Sequence, residues 1–305
     1  MVDIVNLEVN IVNQSTRILA ATDLSAPARH AVERAALVSK EMRSTLDLLH
    51  VANLAPLERL RQLMGATPAD MERRLLDTAS QKLRDLAATL QQRFGVTADT
   101  HVVAGSLLAE LTKKADSLAA DLLVCGAKGE SIVRHYTLGT TAARMLSKAK
   151  CPVLVVKQPP REPYRRLLVP VDFSPSSLPA IRHARSIAPC AGIVLLHVFD
   201  VPFEGYMRYA SVDEDIINDY RIAARQEATQ KLNDLCNEAE LDSYCVNQVV
   251  MHGDPPLHII EQEQEWDCDL IVMGKHGESL LEEFLLGSVT KHVLSESQGD
   301  VLVSV

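Results

Sequence analysis

Aromatic residues are scarce in this sequence: they make up 4% of 305 residues, although hydrophobic residues make up 47%. The apolar content is therefore mostly Leu, Val, Ala and Ile, which favours buried parallel strands and amphipathic helices over a β-sandwich or barrel. Positive charge is also in deficit, because the formal net charge is -9. A nucleic-acid-binding domain normally carries a basic surface, so the composition argues against that class of protein.

Long apolar runs and leader-like segments are missing as well. No apolar run reaches the roughly 18 to 20 residues needed to span a bilayer. The first ten residues, MVDIVNLEVN, lack the basic region and long apolar stretch of a signal peptide. The six cysteines form no C-x-x-C pair and suggest no zinc module. These features predict a cytoplasmic protein, without a membrane partner, whose cysteines are reduced and structural.

What the sequence does contain is a duplication. Gly126 and Gly274 are 148 positions apart, and so are Gly139 and Gly287. Such a constant offset indicates two copies of one domain rather than a short-repeat solenoid. A proline-rich and basic stretch, KQPPREPYR (157–165), reads as the linker, so the predicted domains are residues 1–158 and 164–305. The aligned segments are RILAATDLS (17–25) with RLLVPVDFS (166–174), LDLLHV (46–51) with IVLLHV (193–198), DLLVCGAKGES (121–131) with DLIVMGKHGES (269–279), and CPVLVVK (151–157) with GDVLVSV (299–305).

Each half alternates short apolar runs with segments of helical periodicity. Runs such as ILAA, LLVC and VLVV have the length and composition of buried strands, and Ser or Thr before a periodic run is a capping signal. The predicted order in each half is β-α-β-α-β-α-β-α-β. Parallel strands need helical crossovers of this length, so the sequence predicts an α/β protein made of two tandem, doubly wound parallel-sheet domains.

A glycine-rich loop follows the fourth predicted strand of each half, with the spacing G-x2-G-x9-G-[ST]. In doubly wound sheets ligands bind beyond the carboxyl ends of the strands, where the strand order reverses. Glycine has no side chain, so its N–H group can approach an anion closely and its backbone can adopt positive φ. The start of a helix also favours negative charge. A carboxylate at the end of the first strand could accept from a ribose hydroxyl or an adenine amino group. The candidate residues are Asp23, Val51, Gly126, Gly129, Gly139 and Thr140 in the first half, and Asp172, Val198, Gly274, Gly277, Gly287 and Ser288 in the second.

The same residues have a purely structural interpretation. Gly after a strand often only forms a turn, and Ser or Thr before a helix often only forms a cap. Two loops of identical spacing do not decide the matter, because duplication copies an inactive site as faithfully as an active one.

The loop, the D-x-S after the first strand, the LLHV strand and the closing VLVV-type strand resemble the universal stress protein family. The resemblance covers nearly the whole chain in two copies, and it implies an adenine nucleotide alpha hydrolase-like fold with a five-stranded sheet in each half. Nucleotide-binding members hold ATP with this loop, and in them the Asp and Val after the first two strands contact the nucleoside. The resemblance thus implies an ATP site, with or without Mg²⁺, at the residues above and at Val289 of the FLLGSV segment. It also implies a contact between the two fifth strands, giving an intramolecular pseudo-dimer that could pair again as a homodimer.

The charges of the two loops depart from the ATP-binding pattern. The residue after the second glycine is often basic or polar in binding members, and here it is Glu130 or Glu278. On charge the first loop suits phosphate better, whereas on motif match the second loop is closer to the family. Carboxylates disfavour a triphosphate unless a basic residue or Mg²⁺ offsets them. The remaining charges are Lys128 and Arg134 in the first loop and Lys275, Glu282 and Glu283 in the second.

Catalytic signatures are missing from the sequence. No G-x-S-x-G elbow and no G-x-x-x-x-G-K-[ST] loop is present. The function predicted is therefore a stress protein that senses or buffers adenine nucleotide and acts through conformation or protein partners. Two alternatives stay open at this point: an interaction protein with vestigial loops, and a slow ATPase or autokinase.

Some histidines and two loop inserts allow more than one interpretation. His50 and His197 precede the strand-end valines in both halves and are expected to be structural. His252, His258 and His276 are expected to be solvated loop residues, with a surface metal site as the alternative. The inserts at 53–68 and 200–213 carry apolar and aromatic residues, and are interpreted as lid or packing segments or as a partner surface.

Overall fold

The structure is a computed structural model that describes residues 16–55, 57, 59, 70–127, 139–201, 203–241, 245–277 and 286–305. Strands and helices alternate along both halves. The first half contains β1 (Arg17–Ala21), α1 (Ala26–Met42), β2 (Thr45–Ala52), α2 (Asp70–Phe94), β3 (Ala98–Ala104), α3 (Leu107–Leu118), β4 (Leu122–Gly126), α4 (Thr140–Lys148) and β5 (Val153–Val156). The second half contains β6 (Arg166–Pro170), α5 (Ser177–Ile187), β7 (Gly192–Phe199), α6 (Glu204–Tyr209), α7 (Glu214–Glu238), β8 (Val246–His252), α8 (Pro255–Glu265), β9 (Leu270–Gly274), α9 (Ser288–Glu296) and β10 (Asp300–Ser304).

The predicted α/β class and the repeated order of elements are confirmed. The second half departs from the predicted order in one place, where the short helix α6 forms inside the insert after β7. Most of the corresponding first-half insert lies outside the described residues.

All ten strands form one sheet in the order β3-β2-β1-β4-β5-β10-β9-β6-β7-β8. Every neighbouring pair is parallel except β5 and β10, which are antiparallel, with Leu154 opposite Leu302. The two predicted five-stranded sheets are therefore joined inside the chain through their fifth strands. An isolated half would end in the unpaired edge of an apolar VLVV strand, and the antiparallel pairing satisfies both edges at once.

Both faces of this sheet are covered by helices, which explains why the strands are apolar throughout. Helices α1, α2, α5 and α7 pack on one face, with buried residues such as Ala35, Leu83 and Leu232. Helices α3, α4, α8 and α9 cover the other face, with Leu111 and Val293 among their buried residues. Each buried layer runs across both halves.

All six cysteines are free, and Cys125, Cys236 and Cys268 are buried. Within the described ranges, no helix is both long enough and apolar enough to cross a membrane.

Candidate functional site

The strand order reverses between β1 and β4 in the first half and between β6 and β9 in the second. At the second of these points, a cavity of about 340 Å³ opens at the carboxyl ends of the strands. Its wall contains all seven residues of this half that were predicted to bind nucleotide, although they come from four separate segments. These residues are Asp172, Val198, Gly274, Gly277, Gly287, Ser288 and Val289.

A tight turn fixes the carboxylate of Asp172 at this cavity. Its Oδ1 atom accepts hydrogen bonds from the Ser174 N–H (3.0 Å), the Ser174 hydroxyl (2.6 Å) and the Ser177 hydroxyl (3.1 Å). Phe173, between Asp172 and Ser174, has a left-handed φ of 62°, a strained conformation for a side chain of this size. The three donors orient the carboxylate, and its Oδ2 atom faces Gly277.

Two glycines of the loop are needed for space rather than for their backbone angles. A Cβ atom at Gly274 would lie 2.4 Å from the Ser176 hydroxyl, and one at Gly277 would lie 2.5 Å from Asp172 Oδ2. None of Gly274, Gly277 and Gly287 adopts the left-handed φ that glycine allows. Close packing of the D-x-S turn against the loop is what excludes a side chain at the first two positions.

The helix after the loop begins in the same way in both halves. Gly139 and Gly287 are the N-cap residues of α4 and α9, and as glycines they have no side chain that could cap the helix. The N–H of Gly287 donates to the Lys275 carbonyl (3.1 Å), and that of Gly139 donates to the Ala127 carbonyl (3.0 Å). The first N–H groups inside each helix have no intrahelical acceptor, so the start of α9 offers backbone donors to an anion at the cavity wall.

Three residues of the site were missed by the sequence reasoning. Ser176 and Ser177 line the cavity, and the Ser176 hydroxyl donates to the His276 carbonyl (2.8 Å), which ties the D-x-S turn to the glycine loop. His276 also lines the cavity, and its buried Nε2 atom has no hydrogen-bond partner in the described part of the chain. The P-S-S that follows D-x-S in this half was the available signal, because it lies in the same strand-end loop as Asp172.

Lys275 does not lie where the sequence reasoning placed it, as the positive charge of the second loop. Its side chain is only 6% exposed, and its Nζ atom donates to the Ser147 carbonyl (3.1 Å) in the last turn of α4, in the other half. Burial lowers the pKa of the Lys275 ammonium group. The pairing of β5 with β10 brings α4 beside β9, so the lysine links the halves and does not line the cavity.

Replacing Lys275 with methionine tests this placement. We expect Lys275→Met to cost about 1 kcal/mol of unfolding free energy, because one buried hydrogen bond between the halves is lost. The affinity for any ligand of the second-half cavity should be unchanged. Urea denaturation and ligand titration of the same sample measure the two quantities, and a large loss of affinity with unchanged stability would contradict the placement.

The first-half site is only partly described. Asp23 follows β1, and its Oδ1 accepts from the Ser25 N–H (2.9 Å). The intervening Leu24 has a left-handed φ of 65°, close to the 62° of Phe173 in the second half. Val51, Gly126 and Gly139 occupy positions equivalent to those in the second half. The predicted Gly129, together with Lys128, Glu130 and Arg134, lies outside the described residues, as do the side chain of Thr140 and the second-half Glu278, Glu282 and Glu283.

The two strand-end histidines have structural hydrogen bonds. The Nδ1 atom of His50 lies 2.9 Å from the Thr22 carbonyl, and that of His197 lies 2.8 Å from the Val171 carbonyl. Both bonds hold the residue that directly precedes the aspartate of the same half. These histidines therefore support the D-x-S turn and do not themselves line the second-half cavity.

His252 and His258 each lie beside the carboxylate of a different glutamate. His252 Nε2 lies 3.0 Å from a Glu204 carboxylate oxygen, and His258 Nδ1 lies 2.9 Å from a Glu261 oxygen. Across the described ranges, no group of three or more His, Cys, Asp or Glu side chains could hold a metal ion.

The sequence matches one family over nearly its whole length. Residues 15–157 and 163–304 each match the model of the universal stress protein family. A universal stress protein of Mycolicibacterium smegmatis is 26% identical over 300 residues, which covers 94% of this chain and 96% of that protein. Universal stress protein MJ0577 of Methanocaldococcus jannaschii is 30% identical over 152 residues, covering 46% of this chain and 94% of its own length. The crystal structure of a universal stress protein from Archaeoglobus fulgidus has a TM-score of 0.67 at 20% identity, and covers 95% of this chain and 98% of its own. The chain therefore belongs to the universal stress protein family and carries two tandem copies of the family's domain.

Proposed function

We propose that the second half binds an adenine nucleotide in the cavity between β6 and β9, and that the protein acts as a nucleotide-responsive sensor or scaffold. The observation that carries the proposal is the convergence of seven sequence-predicted residues on one cavity of about 340 Å³ at the switch point of the sheet. Sites of this kind are concave and mostly apolar, with a few polar groups that fix the orientation of the ligand.

The walls of the cavity suit the two ends of a nucleotide. Val198, Ile259 and Met273 supply apolar surface for a base. The Asp172 carboxylate is held by three donors on Oδ1, which leaves Oδ2 directed toward Gly277 as an acceptor for a ribose hydroxyl. The phosphates would lie at the start of α9, where backbone N–H groups and the Ser288 hydroxyl are donors.

The charge of the cavity limits how many phosphates the protein alone can offset. Among the described lining residues none is Lys or Arg, and Asp172 carries a negative charge. The loop beyond Gly277 adds three glutamates in the sequence. A Mg²⁺ ion bound together with the nucleotide would supply the positive charge that a triphosphate needs here.

This charge balance predicts different metal dependence for different nucleotides. EDTA should weaken ATP binding by about tenfold or more, since an uncompensated charge contact of this kind is worth at least ~1.4 kcal/mol. AMP binding should change little. Isothermal titration of both nucleotides with Mg²⁺ and with EDTA measures this, and equal weakening of both would argue against phosphate charge as the cause.

The first experiment is the nucleotide content of the purified protein, obtained by denaturing it and separating the supernatant by ion exchange. One or two equivalents of adenine nucleotide would support the proposal. An empty protein that also shows no thermal shift with millimolar Mg·ATP would overturn it, and would favour an interaction protein whose loops are relics.

One observation also favours contacts with a protein partner downstream of binding. Phe203, Tyr206 and Tyr209, on and next to α6, are 80%, 74% and 87% exposed. Their helix is anchored beside the sheet by the buried Glu204, which contacts Arg221 and lies next to His252 at the end of β8. Exposed aromatic residues on an anchored helix are typical of protein-contact surfaces.

We propose residues 1–158 and 164–305 as the two functional units.

A further inference from the structure

The amino ends of the strands, opposite the nucleotide cavity, differ between the two halves at one position. In the second half the side chain of Glu263, on α8, is buried beneath the turn that joins α9 to β10. Its Oε1 atom accepts hydrogen bonds from the N–H groups of Gly299 (2.6 Å) and Gln298 (3.1 Å). A carboxylate therefore satisfies two backbone donors of that turn.

The first half has Ala115 at the equivalent position of α3, and a cavity of about 200 Å³ is found there. Its apolar wall includes Leu111, Leu123 and Met145, and Cys151 lines it beside the turn from α4 to β5. A dry cavity of about 150 Å³ is enough to hold a molecule the size of benzene. The space is therefore large enough for a small organic molecule.

The turn that follows α4 in the first half has nearly the same backbone conformation as the turn that follows α9 in the second half. The turns begin at Ala149 (φ -66°, ψ 140°) and at Ser297 (φ -61°, ψ 146°), and each N–H donates to the last turn of its helix. The preceding helices α3 and α8 are both followed by a residue with φ of 49°, Ala119 and Asp267. The missing carboxylate therefore leaves the turn itself unchanged.

The two donors of the first-half turn are the N–H groups of Lys150 and Cys151, which correspond to Gln298 and Gly299. Within the described ranges neither N–H donates to a carbonyl or carboxylate oxygen, in contrast to the second half. Backbone N–H groups need an acceptor, and Lys150 and Cys151 both line the cavity, so this turn presents donors to whatever enters it.

The charged groups at the cavity are compatible with an anion. Lys148 and Lys150 both line it, and Lys150 pairs with Asp116 at its edge (3.0 Å). The Cys151 thiol is protonated at neutral pH, because burial, followed by the nearby charges of Asp121 and Asp116, raises its pKa to about 11. The thiol thus adds no negative charge to the wall.

We propose that this first-half cavity binds a small aliphatic monocarboxylate. Its carboxylate would bind the first-half turn as the Glu263 carboxylate binds the second-half turn, and its alkyl chain would fill the apolar part of the cavity. Cys151 explains why a free ligand suits this site better than a tethered side chain. In the second half, a Cβ atom at Gly299 would lie 3.0 Å from Glu263 Oε1. The equivalent residue of the first half is Cys151, which has a Cβ atom, so a carboxylate on that turn must lie a few tenths of an ångström away from the position that Glu263 occupies. A free carboxylate can shift in this way.

The test uses the full chain with sodium propionate as the probe, and propionamide and sodium chloride as uncharged and ionic controls. Propionate should give a saturable rise in Tm of roughly 3 °C or more, and saturation-transfer NMR should show contact with its methyl protons. Ala115→Leu, which fills the cavity, should abolish both signals. An unchanged response in Ala115→Leu, or no response in the natural chain, would overturn the proposal.

The second half offers the reciprocal experiment. Glu263→Ala opens the matching cavity beside Gly299, and propionate should restore part of the lost Tm more strongly than propionamide does. A double variant, Ala115→Glu with Cys151→Gly, transplants the second-half arrangement and should remove the propionate response without loss of stability. If Glu263→Ala does not fold, the comparison of the natural chain with the two first-half variants decides the question. Added nucleotide should leave all these responses unchanged, since the sites lie at opposite edges of the sheet.

Discussion

Replacing Asp300 with alanine should lower the free energy of unfolding by about 3 to 5 kcal/mol, because the change removes one partner of a buried ion pair. Asp300 is completely buried, and its Oδ2 lies 3.1 Å from Arg34 Nε, whose N–H is not aligned for a hydrogen bond. The same oxygen accepts from the Tyr164 hydroxyl at 2.7 Å, and Oδ1 accepts from the Lys157 N–H at 2.8 Å. Its loss leaves a buried guanidinium and several donors without an acceptor.

This cluster joins three parts of the chain: Arg34 belongs to α1, Asp300 to β10, and Tyr164 to the linker between the halves. Burial, reinforced by the charge of Asp300, keeps the pKa of Tyr164 well above its ordinary value, so its hydroxyl remains a donor. We therefore expect Asp300→Ala also to expose the linker to limited proteolysis.

Guanidinium chloride denaturation measures the stability change. The matched control is Asp77→Asn, which breaks the exposed pair of Arg73 and Asp77 on α2 and should leave stability unchanged within error. A loss for Asp300→Ala no larger than that of the control would mean that the buried cluster contributes nothing to stability.

Replacing Gly287 with valine should weaken nucleotide binding by about 100-fold. The added side chain would stand at the cavity wall in front of the first N–H groups of α9, and losing two hydrogen bonds to phosphate at about 1.4 kcal/mol each gives this factor. The protein itself tolerates the change, because the nearest neighbours of a Cβ atom there are at ordinary contact distance: the Lys275 carbonyl at 3.5 Å, Thr290 Oγ1 at 3.7 Å and His276 Cα at 3.9 Å. Gly277→Val would be a poorer probe, since it would displace Asp172.

The matched control is Gly139→Val at the equivalent N-cap of α4. Titration with nucleotide gives the stoichiometry and affinity of both variants, and circular dichroism checks that they are folded. If only the second half binds, Gly139→Val leaves the titration unchanged. Unaltered affinity in folded Gly287→Val would refute the proposed site, whatever the behaviour of the first half.

The strand-end residues of the second-half cavity could be predicted from the sequence because their positions follow from the chain itself. Asp172, Val198 and Gly274 each end a short apolar run, and the carboxyl ends of parallel strands must meet at one edge of the sheet. The serines at 176 and 177 were missed, because their role depends on how the D-x-S turn folds back onto the glycine loop.

The sequence by itself determined the duplication, the α/β class and the family, since the constant offset, the apolar runs and the glycine spacing are local patterns repeated along the chain. Only the tertiary structure decided which side chains meet between the halves. Pairing of β5 with β10 turned Lys275 toward Ser147 and away from the cavity, and buried Asp300 against Arg34. Such contacts join residues more than 100 positions apart, so they depend on the packing of the two halves and leave no periodic signal in the sequence.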